Sequence, residues 1–330
     1  MPSSRITGIG FSAPPRVVSN HDLERVMDTS DAWIVERTGI HERHFVEPGV
    51  STADLGIEAA RRALADAGRE PKDVDFIVFA TTTPDYMFPG CGVLVQDRLG
   101  LGTIGALDVR NACSGFIYAL SVADAFVRIG TYRCVLVIGA EIQSTGLDLT
   151  TRGRDMAVLF GDGAGAAVVE PAEDGCGILA WTLHGEGSLA RELWAEAPTS
   201  TVMGRLTHDM LDAGRQFPRM NGRQVFKHAT TRFPEVIREV LEKAGCSLDE
   251  VALIVPHQAN QRIADAVGER LGLPPEKVFQ NIQRYGNTTA ASIPIALTEA
   301  RDAGLLKPGD LVVLAAFGAG FAWGACALRW

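Results

Sequence analysis

Two stretches of the sequence match each other without a gap, AGREPKDVDFIV at 67–78 and AGCSLDEVALIV at 244–255. In both, an Ala-Gly pair at the end of a helix-like run is followed after five residues by an apolar, strand-like run. Outside these stretches, helix-like and strand-like runs continue to alternate along the chain. This alternation predicts an α/β architecture in which helices cover a largely buried sheet.

Two further matches follow in the same order. The segment 113–130 matches 287–304, and FGDG at 160–163 matches FGAG at 317–320. Each match alone is weak, but three matches in one order are hard to obtain by chance. We therefore expect a duplicated α/β unit whose halves meet near residues 170–180.

One segment, 185–222, breaks this rhythm, because it combines polar and small apolar residues without a strong period. We interpret it as an excursion packed on the surface or over a cleft. A plain insertion is the alternative interpretation.

The overall composition restricts the protein's partners and compartment. The 330 residues include 31 Lys and Arg against 40 Asp and Glu, a formal charge of −9, which argues against nucleic acid or an anionic membrane surface as a partner. No apolar stretch follows the charge near the N-terminus, so no signal peptide is expected. The uncharged segment 311–328 contains three glycines and is better explained by two buried strands than by a membrane span. We expect a cytoplasmic protein.

The cysteines and histidines do not indicate a metal site. The six cysteines form no CxxC pair, and His41 and His44 have no third histidine or cysteine nearby. In a reducing compartment, this spacing predicts neither zinc binding nor a disulfide framework.

Cys113 is the candidate nucleophile. It follows an apolar run at 104–109 and precedes a helix-like segment with buried-looking apolar residues. At a helix N-terminus, free N–H groups and the helix dipole favour the thiolate, so we expect a lowered thiol pKa. A buried structural cysteine is the alternative.

Two other side chains are expected near this cysteine. His257 follows the strand-like run 251–255, at the end of a strand where crevices in α/β sheets open, and its repeat partner is Ala80. Asn287 aligns with Cys113, so packing of the halves about a pseudo-twofold axis would bring both to one cleft. A hydrogen-bonded core histidine and a turn or N-cap asparagine are the alternatives.

Two glycine clusters receive different interpretations. GDGAG at 161–165 precedes a strand and lacks the helix N-terminus that would hold a pyrophosphate, so we interpret it as a tight structural turn. Gly318-Ala319-Gly320 lies between two strand-like runs, where backbone N–H groups can approach a substrate closely. An oxyanion donor and a simple hairpin turn both remain open there.

The sequence around these residues resembles β-ketoacyl-acyl carrier protein synthase III, a family of the thiolase-fold superfamily. The resemblance extends from about Ile6 to Trp330. The motifs that carry it are DTSDAWI at 28–34, RTGI at 37–40, DVRNACSGF at 108–116, VPHQAN at 255–260, GNTTAAS at 286–292 and FGAG at 317–320.

The resemblance implies a fold and an assembly. The expected fold is thiolase-like, with two pseudo-duplicated α/β halves packed in α-β-α-β-α layers. An N-terminal half at 1–173 would carry the nucleophile, and a C-terminal half at 174–330 would carry the histidine and the asparagine. The family also implies a homodimer.

The resemblance further implies a two-step acyl transfer. Cys113 would take an acyl group, such as acetyl, from an acyl-CoA, and the acyl-enzyme would then condense with malonyl-acyl carrier protein as CO2 is lost. His257 and Asn287 would donate hydrogen bonds to the thioester oxygen, and the N–H groups of Cys113 and Ala319 would form the oxyanion hole. The CoA thioester is a substrate, so no cofactor is expected.

The remaining implied roles concern binding. Trp33 would stack on the adenine of CoA, and the large Phe88 would cross the dimer interface to close an acyl pocket for a short primer. Lys227 and Arg262 would dock the acidic carrier protein, although Glu269 stands where another basic residue is expected. The other implied CoA contacts are Thr29, Arg37, Arg152, Phe226 and Asn260.

Three other functions remain as alternatives. A diverged acyltransferase of secondary metabolism would keep Cys113 and His257 but use another acyl donor or acceptor. A papain-like cysteine hydrolase also uses Cys, His and Asn, although the duplicated α/β pattern argues against it. A non-enzymatic acyl-CoA binding protein would not need the intact set of three side chains.

Overall fold

The computed structural model describes residues 3–172 and 176–330, which form two large sheets covered by helices. The strands are β1 (Ser3–Ser12), β2 (Arg16–Ser19), β3 (Glu42–Phe45), β4 (Phe76–Ala80), β5 (Gly105–Val109), β6 (Val135–Glu141), β7 (Gly163–Ala172), β8 (Gly177–Gly185), β9 (Leu193–Trp194), β10 (Arg219–Met220), β11 (Val251–Pro256), β12 (Leu311–Gly318) and β13 (Ala322–Arg329). The helices are α1 (Asn20–Glu24), α2 (Asp31–Thr38), α3 (Thr52–Asp66), α4 (Cys91–Arg98), α5 (Gly115–Arg128), α6 (Arg154–Ala157), α7 (His208–Asp212), α8 (Gly222–Ala244), α9 (Gln261–Leu271), α10 (Ile282–Tyr285) and α11 (Ser292–Asp302).

The first sheet has the strand order β1-β7-β6-β4-β5. β4 runs parallel to both of its neighbours, whereas β7 is antiparallel to β6 and to β1. Every residue of β4 and β6 is buried, because helices cover both faces of this sheet. Burial on both faces explains why these strands are continuous apolar runs.

The second sheet has the order β11-β12-β13-β8. β11 and β12 are parallel, and β12 and β13 form an antiparallel hairpin. The uncharged segment 311–328 is therefore a pair of mostly buried strands, as predicted. Across residues 3–172 and 176–330, no helix is long and apolar enough to cross a membrane.

The two Ala-Gly repeats mark equivalent helix ends. α3 ends at Asp66 and Gly68 takes a φ of 63°, while α8 ends at Ala244 and Gly245 takes a φ of 66°. This left-handed conformation favours glycine, and it lets the chain turn from α3 towards β4 and from α8 towards β11.

The helices form three layers around the two sheets. α5 and α11 lie between the sheets, where Phe116 and Leu297 pack with strand residues of both. α3 and α4 cover the other face of the first sheet, and α8 and α9 cover the other face of the second. The predicted α-β-α-β-α layering is confirmed.

Each large sheet takes its strands from one side of the segment between Ala172 and Cys176. The expected boundary between the halves, at 173/174, falls outside the described residues. The division into 1–173 and 174–330 therefore stays a prediction.

The alignment of Cys113 with Asn287 is wrong at this end of the repeat. Ala112 and Thr289 are the residues with positive φ, 44° and 51°, that open the two short 3₁₀ turns before α5 and α11. Matching these turns makes Ala290 the counterpart of Cys113. The offset of 174 holds only at the helix ends, because α5 has 14 residues and α11 has 11.

Candidate active site

A cavity of about 510 Å³ brings together the three side chains singled out in the sequence. Cys113 precedes α5, His257 follows β11, and Asn287 precedes α11, yet all three line this one cavity. Cys113 is 7% exposed, His257 3% and Asn287 6%, so the groups meet in a site that largely excludes water. Such a site strengthens electrostatic interactions between the groups and a bound substrate.

The Cys113 thiol is held in a tight turn. Ala112 has a φ of 44°, and the backbone N–H groups of Ala319 and of Cys113 itself are directed at the sulfur. Burial, together with the nearby Glu141 carboxyl, nevertheless raises the thiol pKa to about 12. The expected lowering of this pKa is wrong, because desolvation of the thiolate outweighs the helix N-terminus and the N–H groups.

The His257 ring is neutral. Its Nδ1 lies 2.6 Å from the Ser292 hydroxyl oxygen, and burial lowers the pKa of the ring to about 3. Its buried Nε2 has no hydrogen-bond partner within the part of the chain that the structure describes. The Ser292 hydroxyl can donate to Nδ1 or accept from it, so Nε2 can carry a proton or receive one.

A backbone contact shows which end of the Asn287 carboxamide is the oxygen and which is the nitrogen. Its Oδ1 accepts a hydrogen bond from the Thr289 N–H at 2.8 Å. Because a backbone N–H can only donate, this contact must be made by the oxygen, and the other end of the carboxamide is the Nδ2 donor.

The turn between β12 and β13 completes the site. Gly318 lies so close to the nucleophile that an added Cβ would stand 2.5 Å from the Cβ of Cys113. The Gly318-Ala319-Gly320 segment is thus a hairpin turn whose central N–H also faces the sulfur. The interpretation as a hairpin turn is confirmed, and the oxyanion donor stays a prediction.

Comparison with known proteins decides the family. A sequence profile for the C-terminal part of 3-oxoacyl-[acyl-carrier-protein] synthase III matches residues 241–330, and a second profile for the same enzyme matches 107–187. The chain is 47% identical over 328 residues to the β-ketoacyl-[acyl-carrier-protein] synthase III of Rhizorhabdus wittichii, covering 98% of each chain. The chain belongs to the β-ketoacyl-acyl carrier protein synthase III family.

Further relatives of this synthase III support the assignment. The enzyme of the same name from Symbiobacterium thermophilum is 46% identical over 98% of this chain and 97% of its own length. The crystal structure of 3-oxoacyl-[acyl-carrier-protein] synthase III from Aquifex aeolicus matches with a TM-score of 0.91 and 46% identity, covering 99% of this chain and 100% of that one. The thiolase-type fold is confirmed, and this synthase III is an acyltransferase that condenses acyl groups.

At the outer end of the cavity of this synthase III, Trp33 lies among arginines. The guanidinium carbon of Arg37 lies 4.7 Å from the ring centroid, and that of Arg154 lies 4.6 Å from it. Arg152 instead binds Asp148, with 2.5 Å between Nε and Oδ2, and does not line the cavity. Sequence reasoning missed Arg154, which also does not line the cavity but lies over the Trp33 ring.

The other expected CoA contacts divide into two groups. Phe226 and Asn260 line the cavity, and Asn260 also donates from Nδ2 to the Arg37 carbonyl at 3.0 Å while capping α9. Thr29 is not part of the cavity lining, and its buried Oγ1 has no hydrogen-bond partner among residues 3–172 and 176–330.

The expected docking cations lie near the cavity mouth. Arg262 lines the cavity, with its guanidinium carbon 5.6 Å from the centroid of Phe226, and the neighbouring Lys227 is exposed. Arg223, which the sequence did not single out, lines the cavity as well. Glu269 is exposed near the end of α9 and does not line the cavity.

The segment 185–222 contributes to this site. Its short strands β9 and β10 pair with each other, and Leu193 and Met220 from them line the cavity. The segment therefore packs over a cleft, which is one of the two arrangements expected for an excursion.

Phe88 lies away from this cavity, on the surface. Its side chain is 80% exposed, and the adjacent Tyr86 and Met87 are 61% and 59% exposed. Such a contiguous apolar surface is typical of a contact with another protein chain.

Glu141 is a buried acid that sequence reasoning missed. It ends β6 and accepts hydrogen bonds from Thr82 N–H and from the hydroxyl groups of Thr81, Thr82 and Thr83. Burial raises the pKa of its carboxyl to about 7 despite these bonds.

Proposed function

We propose that this synthase III transfers an acyl group from acyl-CoA to Cys113 and then condenses it with malonyl-acyl carrier protein as CO2 is lost. The supporting observation is that Cys113, His257 and Asn287 line one buried cavity in a chain of this family. We also propose that the enzyme works in the cytoplasm as a homodimer and needs no cofactor, since the CoA thioester is a substrate.

In the first step, the Cys113 sulfur attacks the thioester carbonyl. The high thiol pKa means that a base must take the proton, and the unpartnered Nε2 of neutral His257 suits that role. The backbone N–H groups of Cys113 and Ala319 stabilise the tetrahedral oxyanion. The C–S bond to CoA then breaks, and the CoA thiolate takes up the proton.

In the second step, malonyl-carrier protein loses CO2 and leaves an enolate. Before this step the ring exchanges its proton from Nδ1 for one on Nε2 by way of solvent, and the Ser292 hydroxyl turns from acceptor to donor at Nδ1. The Nε2–H of His257 and the Nδ2–H of Asn287 then donate to the enolate oxygen, and neither group has to remove a proton from carbon. The carbanion attacks the acyl carbonyl on Cys113, and the sulfur leaves as thiolate and takes a proton from solvent. The product is a 3-oxoacyl thioester on the carrier protein.

The binding roles are proposed from the cavity lining and from residues near its mouth. Trp33 and Arg37 meet the adenine and phosphates of CoA, with Arg154 beside them and Arg152 and Thr29 further out. Phe226 and Asn260 line the pantetheine arm. Lys227, Arg262 and Arg223 supply the positive charge that an acidic carrier protein needs from this otherwise acidic enzyme.

A second copy of the chain is the proposed occupant of the apolar surface around Phe88. In the described sheets, β5 pairs only with β4, so it is an edge strand, and its Leu107 is 40% exposed. Exposed apolar edges are usually covered by another chain. In the dimer, Phe88 would close the acyl pocket of the partner and favour a short primer such as acetyl.

Incubation with acetyl-CoA tests the first step. Mass spectrometry should find an acetyl adduct on the peptide that contains Cys113, and Cys113→Ala should lose both the adduct and all condensation. An adduct on another peptide would refute the assignment of the nucleophile.

A panel of acyl-CoA primers with malonyl-carrier protein tests the second step. The expected product is a 3-oxoacyl-carrier protein, formed fastest from the short primers. Turnover with another acceptor, but none with malonyl-carrier protein, would refute the proposed reaction.

A further inference from the structure

Asn287 belongs to the second half of the chain, but the first half fixes its backbone. Its N–H donates to the Leu159 carbonyl at 2.7 Å, and its carbonyl accepts from the Gly161 N–H at 3.1 Å. These bonds form a parallel bridge between Phe160 and Asn287. They fix the Cα position, whereas the direction of the carboxamide depends on what its side chain contacts.

The carboxamide direction is set by Thr289. The Thr289 N–H holds Oδ1 of Asn287 at 2.8 Å, and Thr289 itself has a φ of 51°. A β-branched residue rarely adopts a positive φ, because its Cβ crowds the backbone. Such a conformation persists only where the surrounding structure holds it.

Gln143 supplies that support. Its Nε2 donates to the Thr289 hydroxyl at 2.9 Å. The Gln143 N–H in turn donates to the carboxylate of Asp162, which also binds the Ser144 N–H at 2.8 Å and the Val46 N–H at 2.8 Å. Asp162 is fully buried, so its hydrogen bond fixes the backbone from which the Gln143 side chain extends.

We propose that Gln143 is a positioning residue that holds Thr289 and thereby aims the carboxamide of Asn287 at the substrate. The role gives the Gly-Asp-Gly turn at 161–163 a part in the reaction, since this turn supplies both the backbone clamp and Asp162. The inference rests on the proposed function, in which Asn287 acts in decarboxylation and not in the acylation of Cys113.

The test separates the two half-reactions. Gln143→Met keeps the length of the side chain without its amide, and Thr289→Val keeps the branched shape without its hydroxyl. We expect both to slow single-turnover CO2 release from malonyl-carrier protein by about 10-fold, less than the about 100-fold that a 1 Å displacement can cost. Acetylation of Cys113 should stay within about twofold of wild type, because it does not use Asn287.

The matched variant is Thr289→Ser, which keeps the hydroxyl that Gln143 binds. It should release CO2 several-fold faster than Thr289→Val, and melting curves of all variants should show the same cooperative unfolding. CO2 release at the wild-type rate in both Gln143→Met and Thr289→Val would overturn the inference, as would an equal fall in acetylation. A wild-type enzyme that releases no CO2 would refute the proposed function instead.

Discussion

His257 shows how burial sets the chemistry of one side chain. Its pKa falls to about 3, because the ring is removed from water and, within residues 3–172 and 176–330, no acid stabilises its charge. A neutral ring can give its N–H to a developing enolate and can also accept a thiol proton. The same burial that prevents protonation of the ring raises the thiol pKa of Cys113 to about 12.

The low histidine pKa predicts the pH dependence of condensation. With preformed acyl-enzyme, CO2 release should show no titration that depends on His257 between about pH 8 and pH 5.5, because the ring stays neutral above its folded pKa. The Glu141 carboxyl, whose pKa is raised to about 7, titrates in the same range, so the profile is also measured in His257→Gln. His257→Gln, which keeps an N–H donor, should retain more of this rate than His257→Ala. A titration near pH 6.5 that disappears in His257→Gln would contradict a neutral histidine.

The same shift affects folding stability in acid. In the unfolded chain His257 binds a proton near the ordinary histidine pKa of 6.5, whereas in the folded chain it does so only near a pKa of about 3. Between these values the unfolded state holds more protons, so this residue lowers the free energy of unfolding as pH falls through that window.

At the level of residues, the sequence identified which side chains meet but not their pKa values. The family resemblance of the motifs around Cys113, His257 and Asn287 predicted a shared cleft, whereas the repeat alignment offered for Asn287 was wrong. The thiol pKa was predicted in the wrong direction, because position at a helix start can be read from a sequence and the degree of burial cannot. Arg154 was missed since only the folded chain brings it over Trp33.

Among the elements, the β12–β13 hairpin and the turn before α5 are packed against each other around the nucleophile. Gly318 ends β12, and an added Cβ would meet the Cβ of Cys113 at 2.5 Å and its backbone N at 3.1 Å. These neighbours cannot move without displacing the sulfur from the N–H groups directed at it. The requirement for glycine here arises from close approach, not from a positive φ.

Gly318→Ala should therefore slow the transfer of the acyl group to Cys113. We expect acetylation of Cys113 to slow by at least about 100-fold, since a displacement of the order of 1 Å is enough for such a loss. The rate is measured by mass spectrometry with acetyl-CoA. The control is Gly187→Ala, where an added Cβ would meet nothing within 4 Å. Equal rates in the two variants would show that the close approach does not matter.

The elements were predicted well where local patterns decide them. The runs around β4, β6, β11 and β12 were found within a few residues, since buried strands are continuous apolar runs. The start of α8 at Gly222 was not evident from the sequence, because it lies at the end of the segment 185–222, which has no clear period. The repeat was misaligned near Asn287, where α11 is three residues shorter than α5.

For the whole molecule, one group of exposed apolar residues lies near β5, the edge strand of the first sheet. Phe88, Val93 and Leu107 are 80%, 42% and 40% exposed, in an enzyme whose other large apolar side chains are mostly buried. A protein of this size rarely leaves such a surface in water unless another chain covers it. This surface was not evident from composition, because apolar residues of the interface and of the core look alike in a sequence.

Phe88→Glu tests the proposed dimer. Burying a carboxylate without a partner is costly, so this variant should sediment with a larger monomer fraction than wild type at the same concentration. Analytical ultracentrifugation measures the dissociation constant, and Leu305→Glu, at a side chain that is 48% exposed after α11 and away from β5, serves as the control. A wild-type protein that sediments as a monomer throughout would rule out the homodimer.

The bridge between Phe160 and Asn287 joins the backbones of the two repeats next to the active site. The backbone of Asn287, in the second repeat, is held by main-chain hydrogen bonds from Leu159 and Gly161 in the first. An insertion or deletion in either loop would therefore displace the Asn287 carboxamide. Insertions should consequently be tolerated in stretches such as 195–218, which make no part of this bridge. They should not be tolerated at 159–163 or 286–289. A one-residue insertion library scored for growth would reveal that uneven tolerance.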